Sequence, residues 1–202
     1  MRRPSTPPHP APRSPGLVRI IGGRFKRSKL DVADRPGLRP TPDRVRETLF
    51  NWLGQDLSGW RCLDLFAGSG ALGLEAASRG AARVDLVERD PSLARMLADN
   101  GRRLGAAAVA VHALDALQFA ARCTDAGYDL IFIDPPFGAA GLHQQALAAS
   151  ARLLADGGLV YLETPSAELL QQLATAPTWQ LLRSARAGAV HYALLQRPAA
   201  AG

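Results

Sequence analysis

From residue 61 to residue 174, short apolar runs alternate with stretches of helical apolar spacing, and few folds accept that alternation. The runs at 62–66, 84–87, 108–112, 130–133 and 159–162 read as strands, and the stretches at 71–79, 92–104, 115–122, 142–154 and 166–174 as helices. Strand and helix recurring every roughly 20–30 residues imply a parallel sheet covered on both faces. The chain ends differently. Residues 180–184 and 190–196 read as two strands joined by a short Ala-Gly turn, an antiparallel pair at the sheet edge.

The front of the chain stands apart from this repeat. Residues 1–16 carry six prolines and no apolar periodicity, which predicts a disordered Pro/Arg-rich tail. Residues 17–40 read as short β structure, with 17–21 and 24–32 flanking a Gly22-Gly23 turn. A helix follows, with Thr41 as its expected N-cap, Pro42 in the first helical position and Asp43 complementing the dipole. Val45, Leu49, Trp52 and Leu53 form its apolar stripe, and Gly54 ends it. The expected organisation is a tail at 1–16, a basic hairpin and helix at 17–56, and a main α/β domain at 57–202.

Charge follows the same division. Residues 1–46 hold 12 basic and 3 acidic residues, a balance of +9, while residues 47–202 hold 12 and 15, a balance of −3. A basic edge on a slightly acidic body suits a phosphate-rich partner, and Arg24, Lys26 and Arg27 are the candidates to meet it. No apolar run approaches the ~20 residues that span a bilayer, which argues against a membrane. Cys62 and Cys123 form no paired motif and are expected to be reduced thiols, consistent with the cytoplasm. The four histidines show no ligand spacing, so no metal is expected.

The first strand of the repeat runs through Asp64 into Gly68-Ser69-Gly70-Ala71-Leu72-Gly73, a GxGxxG turn between strand and helix. Such a turn lets backbone N–H groups approach a nucleotide-like ligand, although many βα turns need glycine for steric reasons alone. The second strand ends in Glu88, near the position of a ribose-binding acid. These residues suit NAD and S-adenosylmethionine equally.

The fourth strand separates them, because it runs into Asp134-Pro135-Pro136-Phe137. Two prolines fix φ, remove two N–H groups and hold the preceding residue extended. The turn therefore offers acceptors without adjacent donors, beside the flat face of Phe137. That suits an aromatic ring bearing an amine, and hydride transfer has no need of it.

At this point the chain is identified by resemblance. Asp134-Pro135-Pro136-Phe137 resembles the acidic-or-amide-Pro-Pro-aromatic motif of Rossmann-like amino-methyltransferases. Together with Arg19-Ile20-Ile21-Gly22-Gly23-Arg24, the stretch from Leu38 to Leu53 and residues 63–75, it resembles the RsmD family, which methylates guanine N2 in 16S ribosomal RNA of the small subunit. The similarity runs from about residue 17 to 197.

The resemblance implies a class I S-adenosylmethionine-dependent methyltransferase fold, a seven-stranded mixed sheet with an antiparallel last strand. Asp64, Gly68, Ser69 and Gly70 would line the methionine side of the cofactor, and Glu88 would bind its ribose. Asp115 would accept from its adenine amine, would cap helix 115–122, or would do both. Asp134 and the Pro135 carbonyl would orient the target amine, with Phe137 stacked on the base. Arg44 or Arg46 would reach either the cofactor carboxylate or an RNA phosphate. A monomer acting on RNA or a ribosomal particle is expected. The alternatives are an amino-methyltransferase for adenine N6 or a protein amide, an NAD-dependent oxidoreductase, and a non-catalytic RNA-binding assembly factor.

Overall fold

A computed structural model describes residues 18–33, 41–124, 127–136, 138, 141–175 and 178–197. The tail at 1–16 and Phe137 lie outside the described residues. At the front, β1 (Val18–Arg19) and β2 (Lys29–Leu30) form a small antiparallel ladder, followed by α1 (Asp43–Trp52). The main layer comprises β3 (Arg61–Asp64), β4 (Arg83–Val87), β5 (Val109–His112), β6 (Tyr128–Ile133), β7 (Leu154–Thr164), β8 (Gln180–Ala187) and β9 (Val190–Gln196). The helices between them are α2 (Ala71–Ser78), α3 (Pro91–Leu104), α4 (Ala116–Arg122), α5 (Leu142–Leu153) and α6 (Ala167–Ala174).

The seven strands order as β5-β4-β3-β6-β7-β9-β8. The first five run parallel, while β9 pairs antiparallel with both β7 and β8. The closing pair is thus where the alternation stops, with the last strand inserted between its partner and the parallel part. Strand order reverses between β3 and β6, the crevice where open α/β sheets bind ligands.

Side-chain alternation sorts the core into two layers. Cys62, Leu130, Phe132, Tyr161 and Tyr192 face one side, with α1, α2 and the front segment. Leu63, Ile131, Ile133, Val160 and Leu162 face the other, with α4, α5 and α6. The front segment is no separate lobe, because Val18, Ile20, Phe25, Leu30, Val45, Leu49 and Phe50 share the first cluster with the sheet. Rings continue the contact across the layer: Trp52 lies 5.5 Å from Tyr192, Tyr192 6.1 Å from Tyr161, and Tyr161 6.2 Å from Phe132.

Two local expectations need correction. The front strands are two residues each, because the chain between them spends its N–H groups on α2. Ile21 N and Gly22 N donate to Glu75 at 2.9 and 2.7 Å, Arg24 N to the Ser78 carbonyl at 2.6 Å, and Phe25 N to Ser78 Oγ at 2.8 Å. A Cβ on Gly23 would meet the Ser78 carbonyl at 1.9 Å, and its φ is +70°. The glycine pair is therefore a docking point on α2, where a hairpin tip was expected.

The second correction concerns α1. Pro42 occupies its N-cap without a side-chain cap bond, and Asp43 opens the helix. Thr41 is buried and its hydroxyl bonds Glu163 on β7. Among the described residues no helix is long and apolar enough to cross a membrane.

Candidate active site

Five consecutive strands each deliver a carboxylate to the same end of the sheet. In sheet order these are Asp115 after β5, Glu88 after β4, Asp64 ending β3, Asp134 after β6 and Glu163 near the end of β7. A parallel sheet makes this row, since every strand's C-terminal end points the same way.

The left part of the row surrounds the glycine turn. Gly68 and Gly70 have φ of +50° and +78°, and Gly70 is the left-handed N-cap of α2. A Cβ on Gly70 would sit 2.6 Å from Leu97 Cδ2, and one on Gly73 2.1 Å from Leu86 Cδ2. The turn requires glycine at 70 through its left-handed φ, whereas Gly73, inside α2, lies where a side chain would press on Leu86. Glu88 reaches back over the turn and accepts from Gly68 N at 3.0 Å and Asp90 N at 2.8 Å. Ser69 is buried. Asp115 caps α4, accepting from Leu117 N at 2.9 Å and Gln118 N at 3.1 Å, both on Oδ1.

The right part of the row is an acidic cluster. Asp64 is buried, accepting from Phe66 N and Gly73 N at 3.3 Å each. Burial first, with Glu88 and Glu163 adding repulsion against those two bonds, pushes its carboxyl up to about 7. The β6–β7 register pairs Phe132 with Tyr161 and Ile133 with Leu162, so its continuation sets Asp134 beside Glu163. Asp134 is partly exposed, and desolvation, Glu163 and Asp64 together hold its carboxyl well above the usual range. Glu163 is also raised by burial, opposed by the Tyr161 hydroxyl, which donates to Oε1 at 2.7 Å, and by Thr41. Among the described residues none of these three acids takes part in an ion pair. Nor does any group of three acids, histidines or cysteines among them converge closely enough to hold a metal.

Pro135 is buried and Pro136 exposed, and neither has an N–H to offer the Asp134 carboxylate. Neither proline can therefore compete with a donor arriving from solvent.

Comparison with known proteins bears on this site. The family model described as conserved hypothetical protein 95 matches residues 18–196. Ribosomal RNA small subunit methyltransferase D of Escherichia coli K12 is 45% identical over 186 residues, 91% of this chain and 92% of that one. The chain belongs to the RsmD family. The protein of the same description from Haemophilus influenzae is 39% identical over 190 residues, covering 92% of this chain and 96% of its own. A solved Escherichia coli structure described as a methyltransferase superposes with a TM-score of 0.79 at 40% identity, over 91% of this chain and 99% of its own. The fold is that of class I methyltransferases.

In this RsmD-family chain, Arg24, Lys26 and Arg27 are exposed on the loop between β1 and β2, and Arg44 is exposed on α1. Arg46 requires a correction. It is fully buried, donating to Glu75 at 3.2 Å, Asp43 at 2.6 Å and the carbonyls of Thr41 and Arg19 at 3.2 and 3.0 Å. It cannot reach a cofactor or a phosphate from there. Sequence reading also missed Glu163, and the signal was available: like Asp134, it follows an apolar strand at the side-chain parity of the ligand face.

Proposed function

We propose that this protein transfers a methyl group from S-adenosylmethionine to the exocyclic N2 amine of a guanine in small-subunit ribosomal RNA. The observation that carries this reading is Asp134: a carboxyl without an ion pair among the described residues, followed by two prolines, at the point where strand order reverses. The relatives named as ribosomal RNA small subunit methyltransferases support the substrate class.

The residues present fit the cofactor. Left-handed glycines keep the turn free of side chains, and the Glu88 carboxylate already accepts from the Gly68 amide. A carboxylate there suits the two ribose hydroxyls, and Asp64, Ser69 and Gly70 would line the methionine side. Asp115 can accept from the adenine amine while keeping its capping bonds. When bound, S-adenosylmethionine supplies an electrophilic methyl that needs only an in-line nucleophile.

Asp134 and the Pro135 carbonyl supply what the guanine amine lacks. Its lone pair is delocalised, and hydrogen bonds from N2 to these acceptors orient the nitrogen and favour pyramidalisation. The carboxylate also stabilises positive charge developing on nitrogen as the N–C bond forms and the methyl leaves sulfur. The proton lost from N2 afterwards needs no strong base. Positioning contributes the rest. Phe137 would stack on an extruded base, and Arg24, Lys26, Arg27 and Arg44 would hold RNA phosphates. This reading places the protein in the cytoplasm.

The test is a methyl-transfer assay on naked small-subunit RNA, mature subunits and precursor particles from a methylation-deficient strain. N2-methylguanine as the product nucleoside supports the reading, and methylation at adenine N6 or none in any substrate refutes it.

A further inference from the structure

Resting on that reading, we infer that Glu163 is a specificity-determining residue, accepting the N1–H of the target guanine while Asp134 accepts from its N2 amine. Glu163 lies on the face of the sheet that carries Asp134, one strand away, and neighbouring strands are about 4.8 Å apart. Its surroundings define it as an acceptor. The Tyr161 hydroxyl donates to Oε1 at 2.7 Å and the Thr41 hydroxyl also bonds the carboxylate, so both hydroxyls serve its ionised form. A carboxylate has about four acceptor sites, and these bonds fill two. Its neighbouring acids are Asp134 and Asp64, whose charges repel its own. Among the described residues no cation pairs with any of the three.

A buried acceptor facing acceptors is unfavourable until donors arrive from a ligand. Guanine presents them as a set, N1–H beside the two N2 hydrogens. Adenine pairs its amine with N1, a lone pair, and would set that lone pair against Glu163. Two carboxylates side by side therefore discriminate the bases by repulsion as well as attraction. Tyr161 and Thr41 act through Glu163 as positioning residues. Thr41 lies just before α1, so the front segment contributes to base selection as well as to the core.

The experiment uses small-subunit RNA carrying 2-aminopurine in place of the guanine that the wild-type protein methylates. That base keeps the N2 amine and lacks N1–H. Single-turnover rates would be taken at saturating S-adenosylmethionine, with melting temperature and cofactor affinity as controls. Wild-type protein should transfer to 2-aminopurine roughly 10- to 100-fold more slowly than to guanine. Glu163→Gln should slow guanine by a similar factor and bring the two bases within about threefold, since its amide can turn a donor toward N1. A purely structural Glu163 would lower both rates together. Equal wild-type rates on the two bases overturn the inference, and so does a wild-type ratio in Glu163→Gln. If that variant does not fold, the wild-type ratio alone decides. Failure of the underlying function shows separately, as no N2-methylguanine in unsubstituted RNA, and overturns both.

Discussion

Glu75 on α2 and the acids at the ends of β3, β6 and β7 lie on the same side of the sheet, yet the chain surrounds them in opposite ways. Glu75 is fully buried and saturated. It receives Ile21 N, Gly22 N, Arg46 and Arg79, with ion pairs of 3.2 and 2.9 Å to the two arginines. Arg79 in turn lies 4.5 Å over the Phe50 ring. The four donors come from three pieces of structure: two from the front loop, one from α1 and one from the C-cap of α2. Among the described residues, Asp64 and Glu163 receive neutral donors and no ion pair, and the three acids Asp64, Asp134 and Glu163 repel one another. Burial of a charge is tolerated when it is paired and hydrogen-bonded. The first cluster meets that condition internally and clamps the front segment to the sheet. The second leaves it to be met from outside, which is how a binding site differs from a brace.

The largest expected effect comes from breaking the brace. Glu75→Ala leaves Arg46 and Arg79 buried without their shared partner and should cost about 3–5 kcal/mol of unfolding free energy in urea titration. Replacing all three together, Arg46→Met, Glu75→Leu and Arg79→Met, should cost clearly less, because no charge is then stranded. If Glu75→Ala is as stable as wild type, the cluster is not a brace.

A smaller effect comes from the acidic site itself. The Asp64 carboxyl is pushed from 3.8 up to about 7, so the folded state prefers its neutral form. Its contribution to stability is complete below about pH 4 and is lost as pH rises through about 7, about 4 kcal/mol in all. Stability measured at pH 5 and pH 8 should fall with pH, and Asp64→Asn should flatten that slope. Asp134 and Glu163, shifted in the same direction, add slope of the same sign, and His143, whose pKa burial lowers, opposes it. A slope unchanged by Asp64→Asn would show that this carboxyl is not strained.

The smallest effect is at the exposed front. Arg24→Gln, Lys26→Gln and Arg27→Gln together should leave folding and cofactor affinity unchanged, since none of the three side chains is buried. The salt dependence of RNA binding should shallow by about 2, at ~0.7 per phosphate contact. An unchanged slope would move the RNA contact elsewhere.

Much of this contrast was legible in the sequence, and the rest failed for identifiable reasons. The recurring short apolar runs and the glycine turn located the parallel sheet, because a run buried on both faces and a left-handed N-cap are local demands that residues 61–73 satisfy by themselves. Asp134 and Glu88 were legible because strand ends in a parallel sheet converge. Arg46 was misread because charge predicts exposure, and only the tertiary meeting of α1 with Glu75 overrides that. The short front strands and the Thr41 position have the same origin. Their polar groups bond to α2 and β7, 53 or more residues away in sequence, and no local pattern encodes such partners.

The most direct test of the contrast is the single-turnover transfer rate of Asp134→Ala with cofactor and RNA saturating. An acceptor held uncompensated for the target amine predicts a loss of about 100-fold or more. It also predicts unchanged S-adenosylmethionine affinity and a fold at least as stable as wild type, since a repelling carboxylate is removed. Methyl transfer at the wild-type rate by a folded Asp134→Ala protein would contradict the account.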